Sequence, residues 1–308
     1  MAYTGTSALS ALVQGAVDTY VRGALRSRPL WRVLADVFPE EPTAPGSSAT
    51  LHVYSDLAVA TTPLNEITDP TEVALPSTST VVITPAEYGN LSITTAKVRG
   101  TAFTDIPAHQ MDQMAFNMAN SLDVLVSGVL NAGTNVTYSG TGNAATADVA
   151  NGDIITTANI AKAVTELRSA DAHPRMGELF MGLVHPRVAH DIRRETGEGG
   201  WRDAHKYAAP DVFWPATTGV YEGVAWTETN RAKFAADGTT SEPVYRTLIL
   251  GKEALAEAVV EGLEPGLKVG VVPDAFGRFR PLGWYGYLGW ARFREAAIQR
   301  IESATSLT

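Results

Sequence analysis

An extended, proline-punctuated stretch from Thr50 to Lys97 limits what this chain can fold into more than any other feature. Two runs within it, 51–61 and 81–95, are rich in Val, Ile, Thr and Tyr, a composition typical of β-strands. Prolines interrupt the stretch at Pro63, Pro70, Pro76 and Pro85. The sequence offers no second layer for so long a two-stranded hairpin, and an isolated hairpin is only marginally stable in water. We therefore expect the hairpin to lie on a neighbouring molecule.

The composition excludes several classes of protein. The 308 residues include no cysteine, which rules out disulfides, thiolate metal sites and a cysteine nucleophile. The net charge of −9, from 24 basic and 33 acidic residues, argues against a sequence-reading nucleic-acid binder, which would carry a clustered basic surface. No apolar run approaches the roughly 18 residues of a membrane span, and Gln14 and Asp18 interrupt the apolar N-terminal segment 9–20. The sequence thus indicates a protein that works where it is made, away from membranes.

The strongest helix signal follows the extended stretch. Asp105 and Pro107 supply a start and Gly133 a stop, so the pattern predicts a helix of about 107–131, on the order of 36 Å long. Apolar residues recur every three or four positions within it, and we expect these to form its core face: Met111, Met114, Met118, Leu122 and Leu125, continuing to Val129. A methionine stripe can also form an adaptable binding groove, but helical spacing favours the core.

The remaining pattern alternates helices and strands, which predicts an α+β fold. The helices expected are an amphipathic one at 6–20, another at 157–170 and a short one that begins at His185-Pro186. The strands expected are 179–184, 223–229, 244–250, 256–260 and 268–272, followed by a closing segment, 279–301, that returns to pair with earlier strands. Between the first helix and the hairpin, residues 28–46 are expected to form a proline-rich arm whose central apolar residues are buried against a partner surface.

The sequence contains no recognisable catalytic or metal-binding constellation. His185 and His190 lie five residues apart, so on a helix their rings would not converge on one ion. Hydrolase-elbow and phosphate-loop motifs are absent. The carboxylate pairs Glu40-Glu41 and Glu195 with Glu198 fall in stretches that favour a solvated surface. We therefore predict no catalytic residue, no metal and no cofactor.

Two further groups of residues keep more than one interpretation. The glycines and aromatic residues of 283–290 favour packing of a buried strand, with a stacking platform for bases or sugars as the alternative. A cationic cluster near the N-terminus could touch packaged nucleic acid, an acidic neighbour or only solvent; it comprises Arg22, Arg26, Arg28 and Arg32.

Several short pieces, taken in their order and spacing, resemble the major capsid proteins of tailed bacteriophages with the Hong Kong 97 type fold, in particular the branch typified by coliphage N-four. These pieces are 16–20 (AVDTY), 60–64 (ATTPL) with Glu66, Tyr88-Gly89, 102–105 (AFTD), His185-Pro186, 227–229 (TET), Val244-Tyr245, Leu250-Gly251, Gly283-Trp284 and 300–302 (RIE).

The resemblance implies an α+β capsid fold with five parts. They are an N-terminal arm (1–50), an extended β-hairpin loop (51–100), a peripheral domain with a long spine helix (101–149), an axial domain (150–270) and closing strands of the peripheral domain (271–308). It also implies a structural protein rather than an enzyme, one that self-assembles as hexamers and pentamers into an icosahedral head.

The expected partners are other copies of the chain, portal, scaffold and decoration proteins, and non-specifically packaged double-stranded DNA. The expected location is the capsid of a virion that is assembled in the cytoplasm of a host bacterium. Residues expected at contacts between subunits lie in the loop and the arm: Val59, Thr62, Pro63, Leu64, Glu66, Ile67, Trp31 and Phe38. Two alternatives stay open, an encapsulin-like compartment shell and a hydrolase whose site is not recognisable.

Overall fold

The structure, a computed structural model, describes residues 26–37 and 48–307 apart from 65, 68, 70–71, 103–104, 196–218, 271–273 and 275. Several of the expected features lie outside the described residues, namely the helix at 6–20, Arg22, Phe38, Glu40, Glu41 and Glu198. The helices are α1 (Ala96–Thr101), α2 (Ile106–Asn131), α3 (Thr157–Ser169) and α4 (Pro186–Arg194).

The described strands form two large sheets and one small one. They are β1 (Asp36–Val37), β2 (Ala49–Val53), β3 (Ser79–Ile83), β4 (Ala86–Thr95), β5 (Val136–Tyr138), β6 (Phe180–Val184), β7 (Gly219–Tyr221), β8 (Val224–Glu228), β9 (Phe234–Ala235), β10 (Val244–Leu250), β11 (Leu255–Val259), β12 (Gly266–Val269), β13 (Phe279–Arg292) and β14 (Ile298–Ser303).

Sheet I has five strands and is organised around β13, the longest strand. Strand β4 pairs with β13 along one side, while β11 and β12 pair with it along the other. Strand β1 adds to β11 in parallel. The expectation that the closing segment returns to pair with earlier strands is thus confirmed.

Helix α2 packs on sheet I. Its start agrees with the sequence signal, since the Asp105 side chain accepts a hydrogen bond from the Ala108 backbone N–H at 3.3 Å. Met114 and Leu122 are buried against Leu282, Trp284 and Leu288 of β13. The other two residues expected on the core face that lie in this region are half-buried: Met118 and Leu125.

Met111 does not belong to the core of the single chain. Its side chain is 52% exposed, and no residue from Asp105 to Gln113 is buried on any side of the helix. The described residues therefore cover the first turns of α2 only in part, at Ile106, Pro107 and Gln110. Helical periodicity identifies one face of a helix, but it does not tell how far along the helix the sheet extends.

Sheet II has seven strands in the order β5, β14, β10, β6, β8, β7, with β9 added to β10. Helices α3 and α4 bury Ile160, Leu167, Val188 and Ile192 against this sheet. The expected strand 244–250 is confirmed with the same bounds. His185 begins α4, as expected, because its side chain accepts a hydrogen bond from the Arg187 backbone N–H at 3.2 Å.

The sheets do not divide the chain at residue 270. Strands β11 and β12 lie in sheet I, although both precede that position, and β14 lies in sheet II although it follows. Each large sheet contains strands that are distant in sequence. The local sequence pattern of a strand does not predict the strand with which it pairs.

The expected long hairpin is correct only at its base. Strands β2 and β3 pair from Ala49 opposite Ile83 to Val53 opposite Ser79, whereas β4, expected to continue the hairpin, pairs with β13 of sheet I. The base also has the second layer that the sequence did not suggest, because Leu51 and Ile83 are buried against Ala256 and Ala258 of β11.

Among the described helices, none has the length and apolar character of a membrane-spanning segment.

Candidate assembly interface

The segment between β2 and β3, residues 54–78, forms an exposed loop that we call the loop. Every described residue in it is exposed except Pro76, which is half-buried. Its large apolar side chains are Tyr54, Leu57, Val59, Leu64, Ile67, Val73 and Leu75, with exposures from 51% for Leu57 to 93% for Ile67. So large a set of exposed apolar side chains on one segment is typical of a surface that binds a partner.

The loop contains six of the eight residues expected at subunit contacts. Val59, Thr62, Pro63, Leu64, Glu66 and Ile67 are all exposed on it. Proline and threonine, which neither favour a helix nor supply a buried face, account for much of the segment. The structure therefore leaves these six residues exposed on one segment, and their contact with a neighbouring subunit stays a prediction.

The loop is also acidic. It carries four carboxylates, Asp56, Glu66, Asp69 and Glu72, and no lysine or arginine. Like charges on one exposed segment repel one another and weaken its contact with acidic surfaces. A surface that accepts the loop should therefore combine cations with apolar groups.

Such a surface lies at the end of sheet I where β4 stops and β13 begins. Five cations, which we call the sheet-end patch, lie on the backbone segments that come together there: Lys97, Arg99, Lys268, Arg278 and Arg280. Register brings these segments together, because Arg280 lies opposite Thr94, Lys268 lies opposite Gly283, and the Ala96 backbone N–H donates to the Arg278 carbonyl at 2.8 Å. Since side chains alternate along β13, Lys268 and Arg280 extend from opposite faces of the sheet.

Exposed apolar side chains accompany these cations. Val98 is 47% exposed, Val269 64% and Phe276 83%. Arg278 is paired with Asp274 at 3.2 Å, and the hydrogen bond from the Arg278 side chain lowers the pKa of Asp274. Partial burial and the neighbouring Glu87 raise the pKa of Tyr285, which lies under Lys268 with 5.3 Å between the ammonium and the ring centroid. Sequence reasoning missed this patch because its cations come from three separate segments.

Trp31, expected at a subunit contact, belongs instead to the core of its own chain. It is 1% exposed and packs with Val126 and Leu130 of α2 and with Leu248 and Leu255. A side chain so deeply covered offers no surface to a neighbour. The apolar character of Trp31 predicts burial, but proline-rich flanks do not tell whether its own chain or another chain covers it.

Two members of the N-terminal arginine cluster are engaged within the chain. Arg26 pairs with Asp112 at 2.9 Å, and Arg32 pairs with the buried Glu257 at 2.8 Å. Arg28 is exposed. The cluster therefore serves at least in part to fasten the N-terminal segment to its own chain.

Glu195, the one described member of the carboxylate pairs considered for chemistry, has a structural role. The Glu195 carboxylate accepts hydrogen bonds from the Thr157 backbone N–H at 2.8 Å and hydroxyl at 2.6 Å, at the start of α3. Thr157 also contacts the Tyr221 hydroxyl at 2.7 Å, and burial raises the pKa of Tyr221. Within the described residues, no group of three His, Asp or Glu side chains could hold a metal ion.

Comparison with known proteins gives a result at the level of structure. No protein-family model matches the chain, and no curated protein matches it in sequence. The capsid of cyanophage Pam1 superposes with a TM-score of 0.75 at 13% identity, over 97% of this chain and 98% of that one. The chain has the fold of phage capsid proteins.

Two further capsid structures agree with this result. A chain in the head structure of Helicobacter pylori bacteriophage KHP40 gives a TM-score of 0.74 at 13% identity, with 99% of each chain covered. The capsid of Ralstonia phage GP4 gives 0.73 at 15% identity, with 96% of each covered. At such identities the likeness establishes a shared fold, which by itself does not fix a function.

Proposed function

We propose that the chain is the major capsid protein of a tailed double-stranded DNA bacteriophage, of the Hong Kong 97 type and similar to the coliphage N-four branch. Many copies assemble as hexamers and pentamers into an icosahedral head. The observation that carries the proposal is the agreement of nearly the whole chain with phage capsid structures, such as the 97% of this chain and 98% of the cyanophage Pam1 chain that superpose.

The mechanism is geometric. Helix α2 and sheet I form the peripheral domain, with α2 as the spine helix, and sheet II with α3 and α4 forms most of the axial domain. The loop reaches a neighbouring subunit and buries its apolar side chains there. Fully burying one Val, Leu or Ile side chain contributes about 1.5–3 kcal/mol, so a few such side chains offset the cost of ordering the loop.

Charge supports contact of the loop with the sheet-end patch of the next subunit. The loop carries four carboxylates and no cation, while the patch carries cations beside exposed Val269 and Phe276. Opposite charge guides the encounter and fixes register, and the apolar side chains supply affinity. DNA would match the cations of the patch but not its apolar side chains.

The chain assembles and functions together with other components of the phage head. Portal, scaffold and decoration proteins complete the head, packaged DNA fills it without sequence-specific contacts, and assembly takes place in the host cytoplasm. The net charge of −9 supports a lining that does not grip the DNA.

Electron microscopy of a loop-replacement variant tests this function. In the variant, a short Gly-Ser linker replaces residues 56–76 and leaves β2 and β3 intact. We expect the parent, expressed with its neighbouring gene products, to form closed shells that protect DNA from nuclease. The variant should be folded by circular dichroism but unassembled. A parent that stays a small oligomer under all conditions, or a variant that forms normal shells, would contradict the proposal, and shells that hold a protein cargo would favour a compartment.

A further inference from the structure

Residues 26–37, which we call the strap, cross the junction of the two large sheets. At one end Arg26 pairs with Asp112 of α2 at 2.9 Å. At the other end Asp36 pairs with Arg175, which lies shortly before β6 of sheet II, at 3.1 Å. Between these ends, Arg32 donates to the buried Glu257 of β11 in sheet I at 2.9 and 2.8 Å. The strap is therefore fastened to α2 and to the surroundings of both sheets.

The central attachment of the strap is Asp123, a carboxylate on α2 with no solvent exposure. One of its oxygens accepts hydrogen bonds from the backbone N–H groups of Leu30 and Trp31 at 2.8 and 2.6 Å. The other oxygen accepts from Arg231, in the segment that follows β8 of sheet II. A buried carboxylate with three donors, one of them a cation, is held strongly, and loss of any donor leaves charge without compensation.

Arg231 completes a connection among three parts of the chain. Its guanidinium also donates to the Ser27 hydroxyl at 2.9 Å and to the Asn120 side-chain oxygen. The guanidinium of Arg231 therefore fixes the positions of the strap, α2 and the sheet II segment relative to one another. The planar fork of arginine fixes direction as well as distance, which a lysine would not do.

Apolar packing reinforces the same junction. Trp31 and Leu34 belong to a cluster that contains Leu183 and Leu248 of sheet II and Leu255 of sheet I. Rotation of one sheet relative to the other would open this cluster around the strap, because closely packed interiors do not deform continuously.

Three covalent links join the two sheets: β4 of sheet I leads into β5 of sheet II through α1 and α2, and the other two links are short. Strand β10 of sheet II leads into β11 of sheet I through residues 251–254, and β13 of sheet I leads into β14 of sheet II through residues 293–297. The two connections lie side by side, since the Phe293 backbone N–H donates to the Ala254 carbonyl at 3.0 Å and the Gly251 N–H to the Ala297 carbonyl at 2.8 Å.

We propose that the strap is a splint that fixes the angle between sheets I and II, with Asp123 and Arg231 as its attachment. Release of Asp123 frees the sheets to change their angle about the paired connections while each sheet stays folded. The inference goes beyond the proposed function and does not require that the chain form a shell.

The absence of cysteine from the chain permits a direct test by spin labelling. The substitutions Leu91→Cys on β4 and Lys162→Cys on α3, both at exposed positions, place one label on each side of the junction. Double electron–electron resonance on the full chain, diluted with unlabelled protein, then reads the distance within one molecule. We expect a single narrow distribution for the parent and a shifted or broadened one for Asp123→Asn, with unchanged circular dichroism.

Two further variants make the test decisive. Glu261→Gln is the control, because it also replaces a carboxylate by an amide, and Glu261 is exposed and lies outside the strap and its attachments; its distribution should equal that of the parent. Arg231→Lys keeps the charge opposite Asp123 but loses the fork, so it should fold and broaden the distribution. A narrow, unshifted distribution in Asp123→Asn, or in Arg231→Lys if Asp123→Asn fails to fold, would overturn the proposal.

Discussion

Trp31 and Val33 lie two residues apart in the strap and have opposite environments. Trp31 is 1% exposed, while Val33 is 76% exposed. We expect Trp31→Ala to lower the free energy of unfolding by about 3–5 kcal/mol, since it leaves a large cavity in the core. Val33→Ala should change it by less than about 0.5 kcal/mol. Urea denaturation of the two variants measures both values.

The same pair of variants also distinguishes a core residue from a contact residue. If Trp31 met a neighbouring subunit instead of its own core, Trp31→Ala would unfold like the parent and fail only in assembly. Equal unfolding curves for the parent and both variants would therefore contradict the position of the strap.

Within the secondary-structure elements, we expect a glycine-to-alanine substitution to have opposite effects on stability at two positions. Gly89 of β4 lies so close to β13 that an added Cβ would be 2.7 Å from the Trp284 carbonyl oxygen, whereas a Cβ at Gly128 of α2 would have nothing within 4 Å. We expect Gly89→Ala to destabilise the protein by about 1–3 kcal/mol because the strands must part. Gly128→Ala should stabilise it by about 0.5–1 kcal/mol, since glycine costs entropy in a helix interior. Thermal unfolding gives the sign of each effect, and equal signs would argue against the pairing of β4 with β13.

The elements that sequence reasoning found are those with a strong local signal. Asp105 and Pro107 predicted the start of α2, and the run 244–250, in which Val, Tyr, Thr and Ile favour a strand, predicted β10. Both signals are contained within a few consecutive residues. The exposed loop was also foreseeable, because prolines deny it regular structure.

What sequence reasoning missed depends on contacts between distant residues. The strand expected at 51–61 ends at Val53, since pairing with β3 stops there, and the run 81–95 is shared between two sheets. The sheet-end patch exists only because register brings residues near 97 and 280 together. Burial of Trp31 against both sheets likewise has no local signal.

At the scale of the whole molecule, complementary charge predicts the behaviour of paired reversals. If the loop of one subunit meets the sheet-end patch of the next, Lys97→Glu with Arg280→Glu should weaken assembly by placing like charges in contact. Adding Glu66→Lys with Asp69→Lys in the same chain should restore it. Light scattering of assembling protein at low and at high salt measures both effects, and salt should reduce the difference.

The control for this experiment is Lys162→Glu with Lys252→Glu, which changes the net charge equally at exposed positions away from the patch. Assembly of the control at the parent rate would show that position matters, not total charge. Restored assembly in the variant that carries both reversals is the critical result, because it shows that the two charged surfaces meet. Shells that form as well in the variant with only the patch reversed would exclude this contact.

The position of β13 and β14 within the two sheets has a consequence for protein synthesis. Strand β4 is complete on the ribosome once residue 95 has been made, but its partner β13 begins at residue 279. At about 5–20 residues per second, that interval is on the order of 10–40 s. Strand β10 likewise waits for β14, which ends at Ser303. Neither sheet can close on a nascent chain that stops early, so translation itself keeps truncated products from joining an assembly.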